Sequence, residues 1–236
     1  MAKYSISVFF PAYNDEGTIK KIALDAMKTV KKLTNDFEII IIDDCSQDKT
    51  GVIADRLAKK FKKVRVIHHK KNRGYGGALK SGFKNCTKDL IFYTDGDAQF
   101  NVKELPLLYE HIDDYDIVNG YRLKRADKLY RAVVGTLYHY FILISFNLKV
   151  KDVDADFRLM KRNMFSRMDL KSNSGVICVE LLKQITMNGY KIKEVPVHHY
   201  PRIHGRSQFF NSKKIITLFK ELVPLWFDLV LKRNVT

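Results

Sequence analysis

The first half of the sequence alternates between short apolar runs and amphipathic stretches, and this pattern limits the possible folds more than any other feature. The apolar runs have the length of β-strands and cover residues 4–10, 37–42, 64–68 and 90–94. The stretches between them have helical periodicity and cover residues 16–33, 48–60 and 76–86. Strands that alternate with helices predict an α/β fold with a mainly parallel central sheet and helices on both faces. Ligands of such sheets bind outside the carboxyl ends of the strands, so we expect the functional site there.

The second half of the sequence is less regular. It predicts strands at 115–119, 157–160 and 190–199 and helices at 127–148 and 175–187. From residue 209 onward an amphipathic helical pattern is interrupted by Pro224. With 236 residues, 46% of them hydrophobic, the chain is large enough for a substantial core.

Charge and cysteine content narrow the class of partner. The 42 Lys and Arg residues against 26 Asp and Glu leave a formal net charge of +16, which favours a nucleotide, a nucleic acid or a membrane surface. The basic residues are scattered and no nucleic-acid-binding motif accompanies them, so we expect no nucleic acid partner. Cys45, Cys86 and Cys178 are odd in number and lack C-x-x-C spacing. They therefore indicate neither a disulfide framework nor a zinc site, and they favour a reducing cytosol.

A pair of carboxylates follows the fourth predicted strand, where Asp95 and Asp97 are separated by one glycine. Side chains at positions i and i+2 of an extended segment point the same way, so both carboxylates can face one spot. Mg²⁺ and Mn²⁺ prefer such oxygen ligands and complete their shell with water and substrate phosphates. The pair predicts a Mg²⁺ or Mn²⁺ site for a phosphate-bearing substrate, and an acidic Asp-Gly turn is the alternative.

Two more polar clusters follow the second and third predicted strands. Asp43 or Asp44 could accept a hydrogen bond from a nucleoside base or ribose, although this segment also suits the N-terminus of the next helix. The glycine-rich segment 72–77 would let a ligand or another part of the chain approach its backbone closely, which makes Asn72 and Gly74 candidates for the nucleotide site. Its spacing matches neither the G-x-G-x-x-G fingerprint nor a P-loop, and a tight packed turn is the alternative.

A basic loop follows the last predicted strand. Arg202 and Arg206 suit the binding of a diphosphate, with a solvated basic surface as the alternative. The histidines of this loop lack further ligands at the spacing of a zinc site; they are His198, His199 and His204.

Two amphipathic segments could lie on a membrane or in the core. Residues 130–146 contain five aromatic side chains and follow a basic stretch, a composition typical of an interfacial helix but compatible with a buried one. The C-terminal segment, with Trp226 and Phe227 near Lys232 and Arg233, leaves the same two alternatives open.

Six segments in register resemble family 2 glycosyltransferases of the GT-A fold. These segments are residues 11–16, 43–50, 72–79, 95–99, 152–161 and 195–207, and the resemblance covers about residues 4–208. It is strongest to the polyprenyl-phosphate sugar synthases, such as dolichyl-phosphate mannose synthase. The resemblance implies an inverting, metal-dependent transfer of a sugar from a GDP- or UDP-sugar donor to a polyprenyl phosphate acceptor.

The resemblance also implies roles for individual residues. The nucleotide pocket would be lined by Pro11, Tyr13, Asn14 and Glu16, with Asp43 or Asp44 at the base or ribose. The cation, Mg²⁺ or Mn²⁺, would be surrounded by Asp95, Asp97 and Gln99. Asp97 and Arg202 would act at the donor diphosphate, and Ser207 would support the loop that carries Arg202.

One departure from the family pattern concerns the acceptor. Ala155-Asp156 stands where the family often has a small Gly/Ser pair, so Asp156 is a further catalytic candidate near the acceptor. A phosphate acceptor needs no general base, whereas a sugar hydroxyl would need one of Asp152, Asp154 or Asp156. The alternative function is therefore a peripheral glycosyltransferase that builds a glycan or glycolipid.

A second departure concerns the membrane. Many relatives continue into C-terminal transmembrane helices, whereas the present sequence has one Pro-interrupted amphipathic stretch, and its N-terminus has the pattern of a strand instead of a signal peptide. We expect a catalytic domain at 1–210, which includes an interfacial helical segment at 124–150, and an amphipathic extension at 211–236. The expected location is peripheral, at the cytoplasmic face of a membrane with an anionic surface.

Overall fold

A computed structural model describes residues 3–123, 129–202 and 212–231. Seven strands within these residues are β1 Ile6–Ala12, β2 Phe37–Asp43, β3 Val64–His68, β4 Leu90–Thr94, β5 Ile117–Arg122, β6 Phe157–Lys161 and β7 Ile192–Val197. They form one sheet in the order β3-β2-β1-β4-β6-β5-β7. Two strands, β3 and β4, have the bounds that the sequence predicts, and β2 and β6 end one residue later than predicted. The bounds of β1, β5 and β7 differ from the prediction by two or three residues at each end.

The sheet is mainly parallel, as predicted, but one strand runs the other way. β1 pairs in parallel with β2 and β4, β2 with β3, and β5 with β7. β6 is antiparallel to both of its neighbours, β4 and β5. Because Thr94 at the end of β4 lies opposite Phe157 at the start of β6, the segment before β6 reaches the same edge as the segment after β4.

Helices cover both faces of this sheet, and their bounds are α1 Ile19–Val30, α2 Thr50–Lys60, α3 Gly74–Asn85, α4 Leu105–Tyr109, α5 Leu129–Phe146, α6 Ile177–Met187 and α7 Ser212–Trp226. The short helix α4 was not predicted, nor were the 3₁₀ turns Val102–Glu104 and Arg162–Arg167. Such short elements carry too few residues for a helical period to emerge. Helix α7 contains Pro224, which has no backbone N–H to donate, and continues into a π-helical turn, Phe227–Leu231.

The core consists of two apolar layers, one on each face of the sheet. Helices α1, α2 and α4 pack with Ile6, Val8 and Phe10 of β1, whereas α3, α5, α6 and α7 pack with Phe9 and Ile40. β1, β2 and β4 are buried along their whole length. Burial on both faces explains why these strands are continuous apolar runs.

Helices α5 and α7 each have one side in the core and one side exposed. Ile142 and Phe146 of α5 and Leu222 and Leu225 of α7 are buried in the same layer. The indole Nε1 of Trp226 donates to the carbonyl of Ser145 at 2.6 Å, which joins the two helices. The opposite sides form what we call the outer apolar surface, made of Leu137, Tyr140, Phe141, Ile144, Val223, Phe227 and Leu231.

The sequence left a membrane-surface helix and a buried helix as alternatives for both segments. Both features are present, because each helix has buried apolar residues on one side and exposed apolar residues on the other. Within the three described ranges, no helix has the length and hydropathy of a membrane-spanning segment. The boundary at residue 210 stays a prediction because residues 203–211 lie outside the described part of the chain, as do residues 124–128 of the segment 124–150.

Candidate active site

The loops after β1, β2 and β4 meet at one edge of the sheet. The amide of Asp44 donates to the carbonyl of Ala12 at 3.0 Å, and the amide of Gly96 donates to the carbonyl of Pro11 at 3.2 Å. The amide of Asn14 donates to the hydroxyl of Ser46 at 3.1 Å. The expectation that polar strand ends converge is therefore confirmed for these three loops.

Asp97 forms an ion pair with Arg202, which lies more than a hundred residues later in the chain. Asp97 is buried, and its Oδ1 accepts a hydrogen bond from the amide of Gln99 at 3.0 Å. Gln99 accepts from Arg202 Nε at 3.4 Å and donates to the carbonyl of Tyr200 at 3.1 Å. Three predicted site residues, Asp97, Gln99 and Arg202, are thus in contact.

Carboxylates crowd this edge of the sheet. Burial raises the pKa of Asp95 well above its ordinary value, and the charges of Asp156 and Asp97 raise it further. The hydroxyl of Tyr75 donates to Asp95 Oδ1 at 2.8 Å and partly offsets this effect. Burial also raises the pKa of Asp15 to about 6, with a contribution from Asp97. A cation would relieve the repulsion among these groups.

The donor set at this edge fits a hard divalent cation that the substrate helps to hold. Within the described residues no three His, Cys, Asp or Glu side chains form a ready-made metal cluster. Asp95 and Asp97 nevertheless supply the one or two carboxylates that Mg²⁺ or Mn²⁺ uses when water and phosphate oxygens complete the shell. The amide side chain of Gln99 is directed to Tyr200 and Arg202, so its role as a ligand stays a prediction.

Two histidines that the sequence reasoning missed pair with the aspartates at the end of β2. His68 Nδ1 lies 2.8 Å from Asp43 Oδ2, and His69 Nδ1 lies 2.6 Å from Asp44 Oδ1. The pairing follows from the register, since Asp43 and His68 are direct partners of the parallel strands β2 and β3. The available signal was an Asp-Asp doublet after one strand and a His-His doublet after its neighbour.

The predicted nucleotide-pocket residues of the first loop mainly bind the loop after β2. Asn14 has a φ of 57°, and its Oδ1 accepts from the amide of Gln47 at 2.8 Å. Glu16 Oε2 accepts from the amide of Lys49 at 2.9 Å. Pro11 is buried, whereas Tyr13 is exposed at the rim. Contact of these four residues with a nucleotide stays a prediction.

The glycine-rich segment accommodates another part of the chain. A β-carbon at Gly74 would lie 2.5 Å from the carbonyl oxygen of Asn173, and one at Gly76 would lie 2.4 Å from that of Ser172. Asn72 links the segment to the β2 edge, because its Nδ2 donates to the carbonyl of Asp44 at 3.1 Å. Packing of residues 172–173 explains these glycines, and nucleotide contacts of Asn72 and Gly74 stay predictions.

Asp156, near the expected acceptor side, is held in a buried network. Its Oδ1 accepts from the Tyr93 hydroxyl and from the Cys178 thiol, each at 3.2 Å, and lies 3.7 Å from Arg158 Nη1. Arg158, a third residue that the sequence reasoning missed, is fully buried and donates to Tyr93 and to Asn119 Oδ1. Its sequence signals were its place in the segment 152–161 and a charge inside a short apolar strand.

The other carboxylate candidates of this segment differ in their surroundings. Asp152 is buried and accepts two hydrogen bonds at 2.7 Å from the guanidinium of Arg122. Asp154 is half-buried. Three residues of the predicted phosphate-binding loop lie outside the described part of the chain: His204, Arg206 and Ser207.

Residues 7–169 match the family described as "Glycosyl transferase family 2", and the chain belongs to this family of glycosyltransferases. One relative is "Glycosyltransferase AglD" of Haloferax volcanii, 26% identical over 245 residues that span 100% of this chain and 39% of the relative. Another is "Undecaprenyl-phosphate 4-deoxy-4-formamido-L-arabinose transferase" of Pseudomonas fluorescens, 26% identical over 226 residues that span 93% of this chain and 64% of the relative. The chain thus covers less than two thirds of the length of either relative.

Solved structures confirm the predicted α/β fold of GT-A type. Glucosyl-3-phosphoglycerate synthase from Mycobacterium tuberculosis, in complex with phosphoglyceric acid, superposes with a TM-score of 0.73 at 16% identity over 96% of this chain and 80% of that one. The same enzyme in complex with Mn²⁺, UDP and glucosyl-3-phosphoglycerate gives a TM-score of 0.69 at 17% identity over 96% and 80% of the two chains. At these identities the likeness concerns the fold alone.

Proposed function

We propose that this glycosyltransferase moves a sugar from a GDP- or UDP-sugar to a polyprenyl phosphate, with inversion at the anomeric carbon and with Mg²⁺ or Mn²⁺ as cofactor. The observation that carries the proposal is the ion pair of Asp97 with Arg202 beside Asp95 at the carboxyl edge of the sheet. This arrangement combines oxygen ligands for a cation with a guanidinium that can bind a diphosphate.

The relatives support this choice of donor and acceptor. Polyprenyl phosphate is named in the undecaprenyl-phosphate transferases of Pseudomonas fluorescens and of an Enterobacter species. A structural neighbour was crystallised with Mn²⁺ and UDP, and also with Mg²⁺ and UDP. We extend both features to this chain as part of the proposal.

The residues at the edge would act on the leaving diphosphate. A divalent cation held by Asp95 and Asp97 would supply Lewis-acid stabilisation of the negative charge that develops there. Arg202, which neutralises Asp97 in the structure, would donate hydrogen bonds to the diphosphate and stabilise the same charge. Tyr75 would keep Asp95 oriented through its hydrogen bond to Oδ1.

The carboxylates on the other side of the edge favour a phosphate acceptor. A phosphate is already an anion at neutral pH and needs no general base, whereas a hydroxyl acceptor must lose a proton. Asp152 is paired with Arg122, and Asp156 lies in the network of Arg158, so neither of these two carboxylates is well suited to take that proton, and a hydroxyl acceptor would depend on the half-buried Asp154. The same cations reduce the repulsion that an anionic acceptor would meet.

The outer apolar surface supports a role at a membrane. A polyprenyl chain is buried in lipid, so its phosphate is reached at the headgroup level. Helices with exposed apolar residues on one side can lie at that level, and the charge of +16 favours an anionic surface. We propose a peripheral location on a membrane, with the cytoplasmic face as the expected side.

The test is a donor screen with UDP- and GDP-sugars, membrane lipid extract and Mn²⁺. We expect a lipid product whose sugar is released by mild acid, because a glycosyl phosphate is more acid-labile than a glycoside. Asp97→Ala should abolish the metal-dependent transfer, whereas Asp113→Ala, which removes an exposed carboxylate far from the site, should retain it. An acid-stable product would contradict the phosphate acceptor, and full activity of Asp97→Ala with chelator present would contradict the metal mechanism.

A further inference from the structure

The two aspartates at the end of β2 differ in how many of their oxygens the protein uses. Asp43 Oδ1 accepts from the amide of Ser46 at 3.1 Å, and Asp43 Oδ2 pairs with His68 Nδ1 at 2.8 Å. Both oxygens of Asp43 therefore already have partners within the chain. Asp43 is thus held by the chain through both of its oxygens.

Asp44 is held through one oxygen only. Its Oδ1 pairs with His69 Nδ1 at 2.6 Å and accepts from the amide of Arg73 at 2.8 Å. Within residues 3–123, 129–202 and 212–231 no group donates a hydrogen bond to Asp44 Oδ2. Although the residue as a whole is buried, this oxygen is not one of the fully buried unpartnered atoms, so it reaches the surface of the site and can accept from a ligand.

The backbone of Asp44 is fixed between two loops of the candidate nucleotide site. Its amide donates to the carbonyl of Ala12 at 3.0 Å, and its carbonyl accepts from Asn72 Nδ2 at 3.1 Å. The orientation of the side chain is then decided by the groups that bind Oδ1. Of these, His69 is the only side chain in the described part of the chain.

The imidazole of His69 is itself held by a second contact. It is buried, and its Nε2 lies 2.8 Å from the hydroxyl of Ser81 on α3. An ionised Asp44 can only accept, so His69 carries a proton on Nδ1 and donates it to Asp44. The contact of Nε2 with the Ser81 hydroxyl holds the other side of the ring and so fixes its orientation.

We propose that His69, supported by Ser81, is a positioning residue that directs Asp44 Oδ2 at an N–H or O–H group of the donor nucleoside. This inference rests on the proposed function, because it requires a nucleoside diphosphate sugar as donor. It adds two residues outside the recognised motifs to the donor site.

The test compares His69→Leu with His69→Asn. Leucine removes the donor to Asp44, whereas the side-chain nitrogen of asparagine can take the place of Nδ1 and restore that hydrogen bond. We expect His69→Leu to weaken UDP or GDP binding about tenfold, the effect of one lost charge-assisted hydrogen bond. The KM for the donor should rise by a similar factor with little change in kcat, and His69→Asn should recover most of the affinity. Ser81→Ala should lie between the wild type and His69→Leu.

Calorimetric titration with UDP and with GDP in the presence of Mn²⁺ gives the affinities, and thermal unfolding gives the stability of each variant. Leu57→Ala, a buried substitution on α2 away from the site, is the control for loss of stability alone and should bind nucleotide like the wild type. Equal nucleotide affinity of wild type, His69→Leu and His69→Asn would overturn the inference, as would equal losses in both His69 variants and in Leu57→Ala. If the wild type binds neither nucleotide, the proposed function fails as well, so the two failures are distinguishable.

Discussion

At the scale of single residues, Arg158 is the most completely buried charged side chain in the described part of the chain. Its guanidinium is fully buried and binds Asn119, Tyr93 and the carbonyl of Val153. A buried cation is tolerated only when its donors are satisfied and an anion lies nearby, here Asp156. The network therefore joins β4, β5 and β6 beneath the candidate acceptor side.

Removal of this guanidinium should be costly. We expect Arg158→Leu to lower the free energy of unfolding by about 3–5 kcal/mol, because Asp156 is left as an uncompensated buried charge. Urea denaturation measures the difference. The double variant Arg158→Leu/Asp156→Leu should recover part of the loss, and a single-variant loss below about 1 kcal/mol would show that the pair is dispensable.

His68 should give the stability a pH dependence. Its hydrogen bonds to Asp55 and Asp43 raise the pKa of the imidazole above its ordinary value of 6.5. A raised folded-state pKa contributes stability that is present below pH 6.5 and is lost as the pH rises through the folded-state value. The free energy of unfolding should therefore fall as the pH rises above 6.5, and this slope should be smaller in His68→Asn, which cannot titrate. Identical slopes in both proteins would contradict the assignment.

The sequence predicted Asp97 and Arg202 separately, as a metal ligand and a phosphate-binding residue. The structure brings the two side chains into contact, and their roles stay predictions. His68 and His69 were missed because a histidine doublet after a strand has no meaning until the register of β2 and β3 is known. Arg158 was missed because nothing local identifies its distant partners.

At the scale of elements, strands and long helices were predictable because continuous apolar runs and helical periodicity persist over several residues. The antiparallel direction of β6 was not predictable, because the sequence of a five-residue strand does not indicate which way the strand runs in a sheet. Its direction follows from pairing with β4 and β5. The glycines of 72–77 were recognised as a close approach, but the segment that approaches them lies a hundred residues away.

Gly82 on α3 is a further close approach, here between a helix and the sheet. A β-carbon at this position would lie 2.2 Å from Cε2 of Phe9 on β1. We expect Gly82→Ala to destabilise the protein by about 1–3 kcal/mol through overpacking, despite the better helix propensity of alanine. Chemical denaturation should show this loss, while Lys84→Ala, at an exposed position of the same helix, should change little. A stabilised Gly82→Ala would mean that Phe9 moves aside at no cost.

The two sides of α7 should respond differently to truncation. Leu225 is buried in the layer shared with α5 and α6, whereas Val223 is exposed on the outer apolar surface. Leu225→Ala should cost at least about 2 kcal/mol of unfolding free energy, and Val223→Ala should stay within about 0.5 kcal/mol of the wild type. Thermal and urea unfolding measure both variants. Equal effects would contradict the packing of this helix against the sheet.

At the scale of the whole molecule, a strongly basic composition is combined with an apolar outer surface on α5 and α7. Surface charge attracts a protein to anionic lipid over a distance of about 10 Å, and exposed apolar side chains then enter the headgroup region. An enzyme with a soluble acceptor needs neither the basic charge nor the apolar surface. Together, these two features support the proposal of a lipid-bound acceptor.

Vesicle binding tests this combination. Ile144, 79% exposed on α5, should lose its favourable contribution when replaced by aspartate, and we expect Ile144→Asp to bind anionic vesicles about tenfold more weakly. Val52→Asp, at an exposed apolar position of α2 outside the outer apolar surface, is the matched control and should bind like the wild type. Co-sedimentation measures both, and binding should also decline with salt. Equal binding of the two variants would exclude α5 as the membrane contact.

The antiparallel direction of β6 has a consequence for how the donor side and the acceptor side of the site can change in evolution. The parallel strands β1, β2 and β4 end at the carboxyl edge, and the donor-side loops follow these ends. The antiparallel strand β6 begins at the same edge, so the segment before Phe157 precedes its strand there. Insertions or substitutions at 150–156 can therefore alter one half of the cleft without shifting the register of the strands that build the other half. We expect close relatives to diversify in this segment first, keeping one donor chemistry while they change what receives the sugar.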